Sequence, residues 1–135
     1  MITKANSADI DAIVLMNQQF HLDFQGFIWD TRDWIEENHE HFHVMRECGI
    51  VAAMCLIENC IETIAVNESM HGKGFGKQMI DHAKKQVRKN GYSTLYVNSF
   101  CVYELTGFYE KCGFKNIGVS RGADGYEYFN FSVQI

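Results

Sequence analysis

"IAVNESMHGKGFGKQMIDHAKK", residues Ile64–Lys85, joins a strand-like run to a helical pattern through a loop with glycine at every second position. Such a loop exposes backbone N–H groups at the positive end of the helix dipole. Because both features stabilise a phosphate group, the stretch predicts a phosphate-binding loop. The alternative is a loop whose glycines, Gly72, Gly74 and Gly76, serve only to reach positive φ.

The spacing of these glycines excludes two common phosphate-binding loops. A Walker A loop has four residues between its first glycine and Gly-Lys, and then Ser or Thr. Here three residues separate Gly72 from Gly76, and Gln78 follows Lys77. A dinucleotide-binding fingerprint reads G-x-G-x-x-G after the first strand of a parallel unit. This loop reads G-x-G-x-G after three strands that we expect to be antiparallel.

Length and charge restrict the class of protein. The chain has 135 residues and a net charge of −5, which predicts one domain, residues 1–135, and no nucleic-acid partner. No window approaches the ~20 apolar residues of a membrane helix, and the N-terminus does not resemble a signal peptide. The five cysteines form no C-x-x-C pair, which favours reduced thiols. We therefore expect a soluble cytoplasmic protein without a membrane partner.

The order of predicted elements is ααβββαβαββ. Two helices come first, capped by Asn6 or Ser7 and by Asp30 or Thr31. Three strands follow, FHVMRE, IVAAMCLIEN and CIETIAV, and a two-residue turn, Cys48-Gly49, joins the first two. After the glycine loop and its helix come the strand STLYVN, the short helix YELTGFYEKC and a final hairpin. The pattern predicts an α/β fold with a mixed, mostly antiparallel sheet flanked by helices.

Three features together resemble the GCN5-related N-acetyltransferase (GNAT) family. The first is a strand ending in "IAV" and a loop, His71–Gly76, that is similar to the family signature Q/R-x-x-G-x-G/A. The second is the strand "LYVN", which in the family lies beside the first and diverges from it. The third is "GFYEKCGF", Gly107–Phe114, which resembles the family block F-Y-E-K-x-G-F.

The resemblance implies that acetyl-CoA, the cosubstrate, binds between the two diverging strands. It implies that the backbone of the first strand binds the pantetheine arm and that loop amides hold the pyrophosphate, with a CoA contact at the end of the second strand. These positions are Ile64, Ala65 and Val66, then His71, Gly72, Lys73, Gly74, Phe75, Gly76 and Lys77, and last Asn98. Two positions depart from the family pattern: His71 replaces Gln or Arg, and Val102 replaces an Asn.

The resemblance also implies direct transfer of acetyl to a primary amine. Tyr109 lies where the family places a general acid for the leaving thiolate, and its alternative role is that of a core tyrosine. For the base, a regular strand puts Glu58, Cys60 and Glu62 on the face that also carries Ile64 and Val66. We predict Glu62 as the base, with proton removal through ordered water as the alternative.

The remaining features concern metals and partners. His39, His41 and His43 alternate, but they straddle a predicted helix end and strand start, so we expect exposed histidines and no metal. The loop "FHLDFQGFIWD" is aromatic and acidic, which suits a cationic acceptor, although its aromatic residues could equally cover the core. The expected partner is a small amine or peptide acceptor, and the protein is a candidate homodimer. The alternative function is a non-catalytic acyl-CoA-binding or regulatory module on the same fold.

Overall fold

The described residues form a fold built on a seven-stranded sheet with the strand order β1-β2-β3-β4-β5-β7-β6. The computed structural model describes residues 1–18, 32–122 and 125–135, apart from the side chain of Val102. Neighbouring strands pair antiparallel except β4 and β5, which are parallel. This confirms the predicted α/β class and mostly antiparallel sheet. The strands are β1 Ile2–Lys4, β2 Phe42–Arg46, β3 Ile50–Ile57, β4 Cys60–Val66, β5 Thr94–Phe100, β6 Lys115–Arg121 and β7 Glu127–Gln134.

In the described part of the chain, four α-helices flank the sheet: α1 Ile10–Gln18, α2 Arg32–Asn38, α3 Phe75–Lys89 and α4 Thr106–Lys111. The first follows a 3₁₀ turn that Asn6 caps, as predicted, with Asp9 completing a capping box. Asp9 also accepts two hydrogen bonds from the Arg46 guanidinium, at 3.0 and 2.6 Å, which ties this turn to β2. No helix in the described ranges is long and apolar enough to cross a membrane.

The structure differs from the predicted order in two places. A three-residue strand, β1, precedes the first helix and pairs with β2, so the order begins with β. The β2–β3 connection contains three residues rather than two, because Glu47 precedes Cys48 and Gly49 in the turn. Cys48 and Gly49 both have positive φ, +56° and +110°. The predicted caps Asp30 and Thr31 lie outside the described residues.

Apolar residues are buried on both faces of the sheet. Met54, Ile61 and Leu95 belong to a cluster with residues of α3 and α4 on one face. Ala53 and Cys55 belong to a second cluster with residues of α1 and α2 on the other face. Because consecutive residues of β3 point to opposite faces, its apolar run is buried on both sides. Sheet and helices thus hold β4 and β5 at the centre of the molecule.

Candidate active site

The centre of the sheet opens between β4 and β5. These strands pair at Cys60↔Tyr96 and Ile61↔Val97, near the start of β4. Beyond Ile61, β4 continues along β3 and β5 continues along β7, so the two strands diverge. This confirms the divergence that the family resemblance implies. The gap holds a cavity of about 720 Å³.

The cavity collects nearly all of the predicted site residues. Its walls are the second half of β4, the glycine loop with the start of α3, the end of β5, and α4. Of the predicted residues, Lys73 does not line it. Those that do are Glu62, Ile64, Ala65, Val66, His71, Gly72, Gly74, Phe75, Gly76, Lys77, Asn98 and Tyr109. Their proximity is a finding, whereas their roles stay predictions.

Glycine is required at the three positions of the loop for two different structural reasons. Gly72 and Gly74 both have φ of +81°, and a Cβ at either would meet no atom within 4 Å. Their reason is therefore the left-handed backbone, which other residues adopt at a cost. Gly76 has an ordinary φ, but its Cβ would lie 3.1 Å from Cζ of Phe108. Within the protein itself, glycine is required at position 76 because α3 and α4 are in close contact there.

The loop delivers free amides to the cavity. Gly74 is the N-cap of α3, and its carbonyl accepts the hydrogen bond of the Gln78 amide at 3.1 Å. The amides of Phe75, Gly76 and Lys77 therefore precede the intrahelical hydrogen bonds, as the first amides of a helix do. The first turn of α3 contains no acidic residue. This end of the cavity thus suits an anion.

The side chains of the loop contribute less to an anion site than its amides do. Nε2 of His71 lies 2.9 Å from the Val66 carbonyl, to which it can only donate, so this side chain ties the loop to β4. Lys73 points its Nζ at Sδ of Met70, 3.7 Å away. Lys77 forms an ion pair with Asp81 at 2.9 Å.

Tyr109 lies in the wall of the cavity and in the core at once. It is 3% exposed, and its ring packs on Phe131 and Phe114 at centroid distances of 4.9 and 5.7 Å. Burial raises the pKa of its hydroxyl well above the usual 10.0. Both of its predicted roles are therefore compatible with the structure: the ring belongs to the core, and the residue lines the cavity with a proton that it keeps at neutral pH.

Glu62 occupies an irregular position in β4. The register pairs Leu56 with Ile61 and Cys55 with Thr63, so Glu62 is an extra residue in a β-bulge. Because of this bulge, the prediction that Cys60 shares a face of the sheet with Ile64 and Val66 is wrong. Ile64 and Val66 pack in the cluster under α3, whereas Cys60 pairs with Ile57 on the opposite face, which α1 and α2 cover.

The neighbourhood of Glu62 places its carboxylate near that second face. Burial, and next the charge of Glu62, raise the pKa of the Cys55 and Cys60 thiols to about 12. These thiols are therefore protonated and unreactive at neutral pH. Glu62 itself lines the cavity, so the same residue borders the space between the strands and acts on these thiols.

The cavity also contains residues that the sequence did not single out. Asn17 of α1 is 4% exposed, and among the described residues neither its amide nitrogen nor its oxygen has a hydrogen-bond partner. Thr63 Oγ1 shares this property. A signal for Asn17 was present, because it lies four residues after Ile13 on the apolar face of a helix. For Thr63 there was none, since only the bulge decides which way it points.

Aromatic rings form the wall of the cavity at the end of β5. Phe100 contacts Tyr128 and Tyr103 with ring centroids 4.4 and 5.3 Å apart, and all three line the cavity. The aromatic and acidic loop that we expected at the acceptor, residues 20–30, lies outside the described residues. Among the described residues, the aromatic rings at this end therefore come from β5, from the 3₁₀ turn that follows it and from β7.

The alternating histidines do not converge. His39 and His41 lie in a 3₁₀ turn and His43 in β2, as the predicted helix end and strand start require. His43 is buried rather than exposed, and its Nδ1 lies 3.0 Å from Nε2 of His82 on α3. In the described ranges, no group of three or more His, Cys, Asp or Glu side chains could hold a metal ion.

Comparison with curated proteins identifies N-acetyltransferases as relatives. Glucosamine 6-phosphate N-acetyltransferase 1 of Oryza sativa subsp. japonica is 32% identical over 78 residues, which are 58% of this chain and 42% of the relative. The glucosamine 6-phosphate N-acetyltransferase of Candida albicans is 34% identical over 76 residues, 56% of this chain and 45% of the relative. The chain thus spans less than half the length of these relatives.

Solved structures share the fold across the chain. The ribosomal-protein-S18-alanine N-acetyltransferase of Escherichia coli has a TM-score of 0.79 at 18% identity, covering 100% of this chain and 93% of that one. The N-acetylglutamate synthase of Neisseria gonorrhoeae, solved with coenzyme A and N-acetyl-glutamate, has a TM-score of 0.82 at 16% identity, covering 99% of this chain and 34% of that one. At these identities the likeness concerns the fold.

The family itself follows from a longer match. The family model of the acetyltransferase (GNAT) domain matches residues 38–116, which is more than half of the chain. The match runs from the end of α2 to the start of β6 and so includes β4, the glycine loop, β5 and α4. The resemblance of the sequence is thereby confirmed, and the acyltransferase class with it: the chain belongs to the GNAT acetyltransferase family.

Proposed function

We propose that this protein transfers an acetyl group from acetyl-CoA directly to the primary amine of a small molecule, an amino acid or a peptide, and that residues 1–135 form a single domain for this reaction. One observation carries the proposal. The gap between β4 and β5 has at one end a helix start whose free amides suit an anion and, along its walls, a carboxylate, Glu62, and a protonated phenol, Tyr109.

The residues of the cavity fit acetyl-CoA. Beyond Ile61, the edge of β4 that faces the gap is not paired with β5. Its backbone N–H and C=O groups can therefore form hydrogen bonds with the amide groups of a pantetheine arm. The free amides at the start of α3 suit a pyrophosphate. A cavity of about 720 Å³ is within the size range of cofactor sites. We assign the arm to Ile64–Val66, the pyrophosphate to His71–Lys77 and a further contact to Asn98.

When bound, acetyl-CoA supplies the acetyl group as a thioester whose sulfur leaves as a thiolate. The acceptor amine is mostly protonated at neutral pH, so it must lose a proton before it can attack. The Glu62 carboxylate accepts that proton, directly or through water, and its negative charge also attracts the ammonium form.

Tyr109 acts on the leaving group. Because its pKa is raised by burial, the phenol keeps its proton and donates a hydrogen bond to the sulfur as negative charge develops there. The resulting proton balance is simple. The acceptor ammonium gives up two protons: one passes to Glu62 before the attack, and the second leaves the nitrogen through water once the nitrogen has bonded to the acetyl carbon. The departing thiolate, stabilised by the Tyr109 hydroxyl, takes up one proton through water, so each turnover releases one net proton.

The test is product formation with a panel of primary amines, measured by mass spectrometry of the acetylated amine. CoA binding is measured in parallel by calorimetry. We expect one class of amine to be acetylated, and Glu62→Gln to lower kcat/KM by about 100-fold or more, the lower end of the usual effect of a general base. Glu58→Gln, in the exposed β3–β4 turn, is the matched control and should keep full activity.

Two outcomes would contradict the proposal. Tight CoA binding without turnover of any amine would favour the alternative, a non-catalytic acyl-CoA-binding module. Absence of CoA binding would overturn the assignment of the cavity altogether. The cytoplasmic location and the homodimer remain predictions.

A further inference from the structure

The cavity contains, in the region of Glu62, buried polar atoms that the proposed chemistry does not use. Both amide atoms of Asn17 and the hydroxyl of Thr63 are buried without a hydrogen-bond partner among the described residues. A buried polar atom without a partner is costly, so nearly all such atoms are satisfied in folded proteins. Both residues line the cavity, which means that a molecule in the cavity can supply the missing partners.

These atoms lie on the same side of the sheet. Thr63 pairs with Cys55, which is in the apolar cluster beneath α1, and α1 contacts β4 directly. Asn17 lies near the C-terminal end of α1, the helix that covers this face of the sheet. Glu62, the neighbour of Thr63, brings the proposed base to the same region. The polar atoms therefore lie on the side of the proposed base, where the acceptor amine has to bind, rather than at the glycine loop.

The chemistry of a carboxamide restricts what can bind there. An ammonium group offers only donors, so it would satisfy Oδ1 of Asn17 and leave Nδ2 buried without a partner. A carboxylate or phosphate offers only acceptors and would leave Oδ1 unsatisfied. Hydroxyl groups are donor and acceptor together, and two neighbouring hydroxyls present both roles side by side. The N–H and C=O of one trans peptide unit point in opposite directions and match Asn17 less well.

The distribution of cations leads to the same class of molecule. All twelve Lys and Arg residues lie in the described part of the chain, and of these Lys77, at the glycine loop, lines the cavity. The sequence between Lys4 and Arg32, which includes the undescribed stretch, contains neither Lys nor Arg. Arg121 lines a separate, smaller cavity beyond Phe100. No permanent cation is therefore provided for a carboxylate or phosphate beside Glu62.

From these observations, and given the proposed function, we infer that the acceptor is a hydroxylated amine without carboxylate or phosphate, such as an amino alcohol or a non-phosphorylated amino sugar. Asn17 and Thr63 bind its hydroxyl groups and so place its nitrogen near Glu62. Asn17 is in this scheme a specificity-determining residue.

The experiment compares four three-carbon amines that share one primary amine and differ in the polar groups on the other two carbons. These are 3-amino-1,2-propanediol, propylamine, isoserine and 1,3-diaminopropane, and glucosamine with glucosamine 6-phosphate forms a second pair. We expect kcat/KM to be at least about 10-fold higher for the diol than for the other three amines, and higher for glucosamine than for its phosphate.

The variants test the assignment to residues. Asn17→Leu should lower kcat/KM for the diol by about 5- to 150-fold, mainly through KM, and change that for propylamine less than about threefold. Thr63→Val should act in the same direction. Gln18→Leu, an exposed neighbour on α1, is the control and should change neither value. Because Asn17→Leu removes unpaired buried atoms, its melting temperature should equal or exceed that of the wild type.

Binding of the diol to the CoA complex, followed by saturation-transfer NMR, separates this inference from the proposed function. Binding that depends on Asn17, without any acetylated product, would support the hydroxyl site and overturn the proposed catalysis. Preference for isoserine, for 1,3-diaminopropane or for the phosphorylated sugar would overturn the inference while supporting catalysis. Equal losses for diol and propylamine in Asn17→Leu would also overturn it, as would neither binding nor turnover of the diol.

Discussion

Replacing Tyr109 with Phe removes one oxygen atom from the wall of the cavity and leaves the aromatic ring in place. The ring is 3% exposed and packs on Phe131, Phe114 and Phe108 at centroid distances of 4.9, 5.7 and 5.1 Å. All of these contacts survive the substitution. The free energy of unfolding should therefore change by less than about 1 kcal/mol.

The effect on catalysis follows from the pKa of the phenol. Burial raises it above the usual 10.0, whereas an alkyl thiol has a pKa of about 8.5. Complete proton transfer from Tyr109 to the thiolate is thus uphill by at least about 2 kcal/mol. The useful contribution is a hydrogen bond to a developing charge, worth about 1.5–3 kcal/mol. Its loss corresponds to roughly 10- to 150-fold in kcat.

The assay measures kcat, KM and the CoA dissociation constant for the wild type and Tyr109→Phe. The CoA dissociation constant should stay within about threefold, and the ratio of the two kcat values should be constant between about pH 7 and 9, because the phenol does not ionise there. Tyr96→Phe, on a part of β5 outside the cavity, is the control. A kcat within twofold of the wild type would refute the role of Tyr109, and a ratio that changes steeply with pH would refute the hydrogen-bond argument.

Gly74→Ala should weaken CoA binding at least about 10-fold in calorimetry and cost about 1–2 kcal/mol of stability, since φ is +81° there; Gly107→Ala, with ordinary φ, should do neither. Burial, and next the charge of His82, lower the pKa of His43 to about 4, below the unfolded value of about 6.5. The stability that the neutral His43 contributes is therefore fully present above about pH 6.5, and on the order of 3 kcal/mol is lost as pH falls toward 4. His43→Leu should make the melting temperature depend less on pH in this range. Asp9→Asn should cost about 1–2 kcal/mol at pH 7 in urea unfolding, because the hydrogen bond from its arginine partner lowers the Asp9 pKa. The difference should shrink as pH falls through that lowered pKa, where the wild type loses the same charge.

Much of the fold was predictable because the local signals were strong. Backbone chemistry predicts the glycine loop, the amphipathic helix after it and the end of that helix at Asn90-Gly91. In the structure α3 ends at Lys89, and Gly91 has a φ of +91°. β1 was missed because three residues are too few to show alternation. Its pairing depends on β2, some forty residues away in the sequence.

The site was less predictable because it depends on irregular features. The strand period cannot reveal the bulge at Glu62, yet this bulge separates Cys60 from Ile64 and Val66 and decides where Thr63 points. The requirement for Gly76 comes from Phe108, on an element thirty residues later. Such contacts exist only after the helices have packed, so no local pattern contains them.

The joint between β4 and β5 has a mechanical consequence. The sheet consists of two antiparallel halves, β1–β4 and β5–β7, which share two residue pairs at one end of the gap. A small rotation of one half against the other disturbs few backbone hydrogen bonds at this joint, yet it widens the far end of the gap appreciably. The helix α3 contacts β3, β4 and β5 and so limits the rotation. The width of the gap at its far end is thus the dimension of the cavity that such a rotation changes most, and the packing of α3 sets how far it can change.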